Sequence, residues 1–284
     1  MTDLAKGGSH PTIARGTNAA KKRSTFLDPS ADGPARSLAQ RLARGHSVVA
    51  VIIAAIVSFV LLAVVMSALG LLITHVLAHG PVGAWDHHVS RWLDKQRWRT
   101  MNRLSGDATD LADTFEVAGG AAIVTAVVLV RRWGRHAFLL VAGLAVELSV
   151  FLATNDVVKR PRPTVHHLGG TPSTYGYPSG HTAATVVLFG GIVVLVSVAT
   201  NRWVPRISAW VVAVAMTLAV GLSRVYRGEH YPTDVIAGAL LGLGSLVAAV
   251  FIIRVMGVNR ADSPHAAKKS VAGQRGAPLG EASS

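Results

Sequence analysis

Three short polar clusters interrupt the apolar stretches of this 284-residue chain, at residues 155–163, 177–181 and 223–234. Phosphoryl transfer needs cations and hydrogen-bond donors around the phosphate oxygens, a nucleophile in line with the leaving group, and an acid that protonates what leaves. The clusters together hold side chains of each of these kinds. They therefore predict a site that binds and transfers a phosphoryl group.

The predicted phosphate donors come from all three clusters. Arg162 and Arg224 are bidentate donors that match a phosphate, and Lys159 adds a point charge. The Pro-Ser-Gly sequence of the second cluster predicts the start of a helix, which Ser179 can cap. The free amides that follow, near Gly180, would point at an anion, and a glycine lets the backbone approach it closely.

Two histidines are the candidates for nucleophile and acid. His181 and His230 fit either role, and the residue types alone leave the assignment open. Asp234 follows His230 by four positions. If this stretch is helical, the carboxylate lies one turn away on the same face and can fix the imidazole tautomer. That spacing favours His230 as the group that attacks.

Six apolar stretches must position these clusters, and they rule out a soluble globular protein. A bilayer core needs about 20 apolar residues per helix. Five stretches reach or approach this length, and the second becomes a full span only if it extends upstream through Leu111. We therefore predict an all-α integral membrane protein, a six-helix bundle. The stretches are residues 47–73, 117–130, 137–155, 182–201, 207–223 and 235–253.

The distribution of charge predicts the orientation in the cell membrane. Most Lys and Arg residues lie in the two tails and in the connections on the same side, so both termini are expected in the cytoplasm and the polar clusters on the extracytoplasmic face. The net charge of +13 is thus explained without nucleic acid. Trp85, Trp92 and Trp98 predict a helix lying at the outer interface.

The expected domain organisation has three parts. Residues 1–46 and 257–284 lack apolar periodicity and are predicted to be disordered cytoplasmic tails, and residues 47–256 form the membrane domain. The chain contains no cysteine, which excludes disulfides, thiolate catalysis and cysteine-ligated metals.

The clusters resemble the motifs of the type 2 phosphatidic acid phosphatases, which share them with the vanadium haloperoxidases. The second family motif, Pro-Ser-Gly-His, ends at His181, and the third, Ser-Arg, five residues, His, three residues, Asp, ends at Asp234. The first, Lys, six residues, Arg-Pro, matches only at Arg162 and Pro163 because Asn155 stands where the family has Lys. The resemblance covers roughly residues 80–250.

The resemblance implies a membrane phosphatase that acts on a lipid phosphate or diphosphate, of the phosphatidic acid or the polyprenyl diphosphate type. It makes His230 the nucleophile that becomes phosphohistidine, Asp234 its orienter and His181 the acid. It implies no metal and no cofactor, and its partner is a membrane lipid with a phosphate headgroup. The implied phosphate ligands are Arg162, Ser179, Gly180 and Arg224.

The departure at Asn155 raises a compensation hypothesis. Lys159 lies four residues later, on the same helix face if the helix continues. We expect Lys159 to supply the missing charge to the phosphate, with Asn155 as a neutral hydrogen-bond donor. The alternative is that Lys159 only extends to the membrane surface and that Arg162 with Arg224 suffices.

Two rival functions remain open: a vanadate-dependent haloperoxidase-like enzyme, and a membrane protein that binds or transports an anionic lipid without chemistry. The chain also leaves open the lipid tail, the number of phosphates removed and the oligomeric state. Glu147 in mid-span is either functional or bonded to a neighbouring helix. His166 and His167 lack further ligands at metal-binding spacing, and Gly238 and Gly242 predict close helix packing.

Overall fold

The computed structural model describes Pro34 and residues 47–169 and 174–261. The predicted disorder of the two tails therefore lies almost entirely outside the described residues. One boundary differs from the prediction, because the last helix runs to Ala261. Residues 257–261 thus continue the final helix, whose candidate membrane span ends at Gly257.

The described part of the chain consists of helices and their connections, without a strand. Short 3₁₀ turns at Leu77–His79 and Gly134–Ala137 precede α2 and α5. The helices are α1 (Ser47–His75), α2 (Pro81–Lys95), α3 (Arg99–Asp110), α4 (Thr114–Val130), α5 (Phe138–Val158), α6 (Gly180–Ala199), α7 (Trp203–Tyr226) and α8 (Pro232–Ala261).

Five of these helices, α1, α5, α6, α7 and α8, are long and apolar enough to cross a membrane. The predicted second span corresponds to α4, which has only 17 residues. It extends upstream as expected, but through a 50° bend into α3, and the bent pair makes a sixth span if it is counted as one. The prediction of an all-α membrane bundle is confirmed.

Helices α5, α6 and α8 form the centre of the bundle, with α1 and α7 packed against them. Close contact between α6 and α8 depends on two glycines. A Cβ added at Gly238 would lie 2.3 Å from the carbonyl oxygen of Ser179, and one at Gly242 would lie 2.6 Å from that of Ala183. Only residues without a side chain fit there, so the predicted packing role of both glycines is confirmed.

Four helix ends meet at one end of the bundle, which we call the site end: the C-termini of α5 and α7 and the N-termini of α6 and α8. Helix α2 crosses this end and contains two of the three tryptophans around which a helix was predicted, whereas Trp98 is the N-cap residue of α3. Trp85 and Trp92 are exposed on it, whereas its buried residues are Gly83, Asp86 and Ser90. The prediction of this helix rested on its tryptophans and missed the carboxylate of Asp86, which α2 presents to the bundle.

Candidate active site

His230 is held in a single tautomer by the backbone. It lies in the connection between α7 and α8 and is almost fully buried. Its Nδ1 lies 2.7 Å from the carbonyl oxygen of Gly176. Because a carbonyl only accepts, Nδ1 must carry the proton, which leaves the lone pair on Nε2. Nε2 lies 3.5 Å from Nη1 of Arg162, on the wall of a cavity.

The surroundings also keep His230 neutral. Burial, together with the positive charges of Arg224 and Arg162, lowers the pKa of His230 well below its usual value. A neutral imidazole with an accessible lone pair is the state that can attack phosphorus. Geometry and electrostatics at this residue therefore favour the same chemical role.

His181 occupies the first turn of α6 and lines the same cavity. Its Nε2 lies 2.8 Å from Oδ1 of Asp113, at the bend between α3 and α4. The carboxylate accepts a hydrogen bond from Nε2, so Nδ1 is the nitrogen left for a substrate. Sequence reasoning did not find Asp113, because it lies 68 residues away from its partner in a connection with no motif of its own.

Arg162 and Arg224 converge beside His230, as predicted, and both line the cavity. They share Glu229: its Oε2 lies 3.4 Å from Nη1 of Arg162 and 3.9 Å from Nη2 of Arg224. Arg162 is anchored further by the carbonyl oxygens of Glu229 and Thr174, at 2.6 and 3.0 Å. Burial lowers the pKa of Arg162, an effect that Glu229 opposes. The role of Glu229 was not foreseen.

One donor of Arg224 remains unsatisfied. Its Nε is buried and has no hydrogen-bond partner within the described part of the chain. Buried donors are nearly always paired in folded proteins. Arg224 thus keeps an unused guanidinium donor beside a second arginine that also lines the cavity, and such donors suit an anion.

The Pro-Ser-Gly turn starts α6, but Ser179 does not cap it through its side chain. Its hydroxyl is fully buried and pairs with that of Thr182 at 3.0 Å. The close approach of α8 at Gly238 directs Ser179 into the helix interface, so the expected contact of its hydroxyl with phosphate is absent from this geometry. Gly180 does line the cavity, where a Cβ would lie 3.2 Å from the ring of Phe151.

Asp234 does not bond to His230. Its Oδ2 accepts from the backbone N–H of Tyr231 at 2.9 Å, and its Oδ1 accepts from Arg160. The expected contact required His230 and Asp234 to share a helix, but α8 begins only at Pro232. Asp234 therefore acts on the neighbouring backbone and positions His230 indirectly.

A buried ion cluster missed by sequence reasoning supports this arrangement. Arg160 donates to Asp234, to Asp86 at 2.8 Å and to the hydroxyl of Thr233 at 2.7 Å. Burial alone would lower the pKa of Arg160, but the two carboxylates raise it above its ordinary value. The cluster ties α2 and the α5–α6 connection to the start of α8.

The compensation hypothesis for the first motif is wrong in this structure. Helix α5 ends at Val158 and Lys159 adopts a left-handed conformation, so it does not continue the face of Asn155. Its ammonium lies 3.6 Å from Asp156, and both side chains are largely exposed. Asn155 is buried and bonds to the backbone of Tyr175 and Tyr177, so both its amide protons are used within the protein.

The two loop histidines contact the protein itself. Nε2 of His167 lies 3.1 Å from the carbonyl oxygen of Pro163, and its buried Nδ1 lies 3.8 Å from Glu229. The carbonyl of His166 accepts from Arg97 at 2.6 Å. Among the described residues, no group of three or more His, Asp or Glu is arranged to hold a metal ion.

The cavity has a volume of about 350 Å³. Both histidines and both arginines stand at one side of it. Most of the other described lining residues belong to α4, α5 and α6. They are mainly apolar, with one carboxyl among them: Ala112, Thr114, Val117, Ala118, Leu144, Glu147, Leu148, Phe151, Thr174, Gly180 and Ala184. The cavity thus joins an anion-binding wall to an apolar wall within the span region, the shape required by a phosphate on an apolar tail.

Two known phosphatases are similar in sequence to this chain over less than half of its length. Undecaprenyl-diphosphatase of Sulfolobus acidocaldarius is 32% identical over 125 residues, 42% of this chain and 56% of that protein. Decaprenylphosphoryl-5-phosphoribose phosphatase of Mycobacterium tuberculosis is 30% identical over 135 residues, 45% of this chain and 68% of that protein. The chain therefore spans between about half and two thirds of the length of these relatives.

A solved structure shares the fold. The transmembrane PAP2 type phosphatidylglycerolphosphate phosphatase from Bacillus subtilis superposes with a TM-score of 0.55 at 20% identity, covering 73% of this chain and 97% of that one. The PAP2 superfamily model matches residues 134–257, the range that contains all three motifs. With the matched region of the mycobacterial phosphatase, these findings show that the chain belongs to the PAP2 superfamily.

Proposed function

We propose that this protein hydrolyses a lipid phosphate or diphosphate through a phosphohistidine formed on His230. The main observation behind this proposal is the tautomer and position of the His230 ring. Its Nδ1 bonds to the carbonyl oxygen of Gly176, and its Nε2 lies beside Arg162 on the cavity wall. A binding protein would need the cations but not a neutral imidazole in a fixed tautomer. The geometry therefore supports catalysis over binding alone.

The reaction proceeds in two steps. The Nε2 lone pair of His230 attacks phosphorus and the bond from phosphorus to the lipid oxygen breaks. His181, as an imidazolium with protons on both ring nitrogens, gives its Nδ1 proton to that oxygen and keeps the Nε2 proton that it shares with Asp113. Water then attacks the phosphohistidine, His181 takes a proton from the water, and inorganic phosphate leaves with His230 restored. Arg162 and Arg224 stabilise the charge on the transferred phosphoryl oxygens.

Three carboxylates position this machinery without touching the phosphorus. Asp113 orients the acid through its 2.8 Å contact with His181. Glu229 fixes the two arginines relative to each other, and its backbone N–H donates to Arg224. Asp234 holds the N–H of Tyr231, the residue that follows His230.

A substrate panel tests the proposal. Purified protein is incubated with phosphatidic acid, phosphatidylglycerophosphate and polyprenyl mono- and diphosphates, and released phosphate is measured against the His230→Ala variant. We expect release from at least one lipid and none from the variant. Tight binding without release would support the anion-binding alternative, and peroxide-dependent halide oxidation after vanadate addition would support the haloperoxidase-like alternative.

We also propose that the site end faces the extracytoplasmic side and that both termini are cytoplasmic. The excess of Lys and Arg in the tails and opposite connections supports this orientation. In this cysteine-free chain, Gln96→Cys lies exposed near the site end and Asn201→Cys at the opposite end. In intact cells, a membrane-impermeant thiol reagent should label the first only, and labelling of the second only would invert the topology.

A further inference from the structure

Glu147 is the one carboxyl among the described residues that line the active-site cavity, and it stands on the apolar wall. It lies in the middle of α5, is 5% exposed and lines the cavity together with Leu144 and Leu148. The structure gives it no hydrogen-bond or ion-pair partner among the described residues. A carboxyl group buried without a partner is costly in a membrane protein and marks a functional position. The hydrogen-bond partner of this carboxyl group must therefore come from the molecule that occupies the cavity.

The distance of Glu147 from the site end determines which part of a bound substrate it contacts. Phe151 lies beside Gly180, since a Cβ at that glycine would be 3.2 Å from the ring. Glu147 lies one turn farther from the site end on the same helix, about 6 Å along the axis at 1.5 Å per residue. With the phosphate held at Arg162 and Arg224, the carboxyl group therefore faces the first few atoms beyond the scissile ester.

The chemistry of this position disfavours a second phosphate. The described residues that line the cavity at this depth include no cation, and a phosphate there would be an unpaired buried charge next to a carboxyl group. The arginines are also partly neutralised by Glu229, and Asn155 replaces the Lys of the first motif. The site is thus short of positive charge for a diphosphate.

We propose that Glu147, as a neutral carboxylic acid, forms hydrogen bonds with a neutral, oxygen-bearing linker between the cleaved phosphate and the lipid tail, such as glycerol or a pentose. A neutral carboxyl offers one O–H donor and a carbonyl acceptor, so it matches a hydroxyl or an ester in the linker. The preferred substrate is a lipid monophosphate of this class, and a phosphate attached directly to a hydrocarbon is disfavoured. This assignment rests on the proposed phosphatase function.

The experiment compares two substrates that differ only in the linker. Oleoyl lysophosphatidic acid carries glycerol between phosphate and tail, whereas oleyl phosphate carries none. Purified full-length protein in mixed micelles is assayed for phosphate release, with farnesyl diphosphate as a third substrate. We expect the wild type to favour the glycerol-linked lipid by about tenfold in kcat/KM, the scale of one well-formed hydrogen bond.

The variants separate recognition from structure. Glu147→Leu should lose this preference, so that the ratio of kcat/KM on the glycerol-linked lipid to kcat/KM on oleyl phosphate falls about tenfold. Glu147→Gln, which keeps a donor and an acceptor, should retain most of it. Leu152→Ala, on the exposed side of the same helix, serves as the matched control and should behave as wild type.

Three results would overturn the inference while leaving the phosphatase function intact. They are equal losses on both monophosphates in Glu147→Leu, a loss in Glu147→Gln as large as in Glu147→Leu, and a wild-type preference for the diphosphate. The second would show that the acidic proton takes part in the chemistry. Absence of phosphate release by the wild type from every substrate would instead refute the proposed function and, with it, this inference.

Discussion

Asn155 gives the sharpest test of how the active site is assembled. Its side chain makes three hydrogen bonds to the backbone, to Tyr175 N, Tyr175 O and Tyr177 O, at 3.1, 3.0 and 2.9 Å. The segment so fixed contains Gly176, whose carbonyl sets the tautomer of His230. Loosening this segment should therefore affect catalysis without removing any group that contacts phosphate.

The expected magnitude follows from the three bonds. At about 1 kcal/mol each, Asn155→Ala weakens the ordered segment by about 3 kcal/mol, a factor of more than about 100 in its equilibrium with open conformations. We expect kcat to fall by about tenfold or more, because the wild-type segment starts with some reserve of stability, and KM to change little. Phosphate release at saturating substrate measures this split.

The matched variant is Lys159→Ala, four residues along the chain. Its ammonium contacts only the exposed Asp156 among the described residues, so activity within about twofold of wild type is expected for a surface ion pair. If Asn155 contacted phosphate, Asn155→Ala would raise KM, and Asn155→Lys, which restores the motif, would exceed the wild type. Either result, or a large loss in Lys159→Ala, would refute the structural role assigned to Asn155.

The remaining predictions concern the reacting groups. His230→Ala should abolish turnover, and residual single-turnover activity in this variant would contradict the assignment of His230 as the nucleophile. His181→Ala and Asp234→Asn should lower kcat by about a hundredfold or more, as the loss of a general acid or of a positioning carboxylate does. Asp113→Asn should lower kcat by about tenfold with KM retained, since the contact is partly exposed and charge-assisted; wild-type kcat would remove Asp113 from the mechanism. The pKa of His230 is lowered, so the imidazole should stay neutral when the pH falls through about 6.5, the ordinary pKa of a histidine. Protonation of His230 should therefore reduce kcat/KM only well below that pH. A loss of kcat/KM centred near pH 6.5 would contradict this. Activity should persist in EDTA, and recovery from EDTA by an added divalent ion would show a metal requirement.

The sequence was informative where chemistry and helix ends coincide. Arg162, Arg224, His181 and His230 are the residues whose types suit phosphate, and the structure brings all four to one cavity. Their clusters lie at the ends of apolar stretches, and neighbouring spans must place such ends at the same membrane surface. Hydropathy and residue type are sufficient for that inference, so it did not require knowledge of the packing.

Two predictions failed because they extended a helix past its end. The pairing of Asn155 with Lys159 and of His230 with Asp234 each assumed a spacing of four on one helix, whereas α5 ends at Val158 and α8 begins at Pro232. Helix boundaries of this kind depend on tertiary hydrogen bonds. The residues that form these bonds are far apart in the chain, so no local sequence pattern indicates where the helix ends.

Polar residues whose contacts with the backbone were not predicted from the sequence explain why the reacting groups hold their positions. His230 precedes α8, so no helix fixes it; its backbone N–H reaches the carbonyl of Arg224 and its ring reaches Gly176. Both contacts belong to irregular segments, which would move unless side chains from helix ends held them. Asn155 holds the segment of Gly176, and Arg160 with Asp234 holds the start of α8. The buried polar residues of the site end thus divide into those that face the phosphate and those that fix irregular backbone, and only the first kind can be recognised by residue type alone.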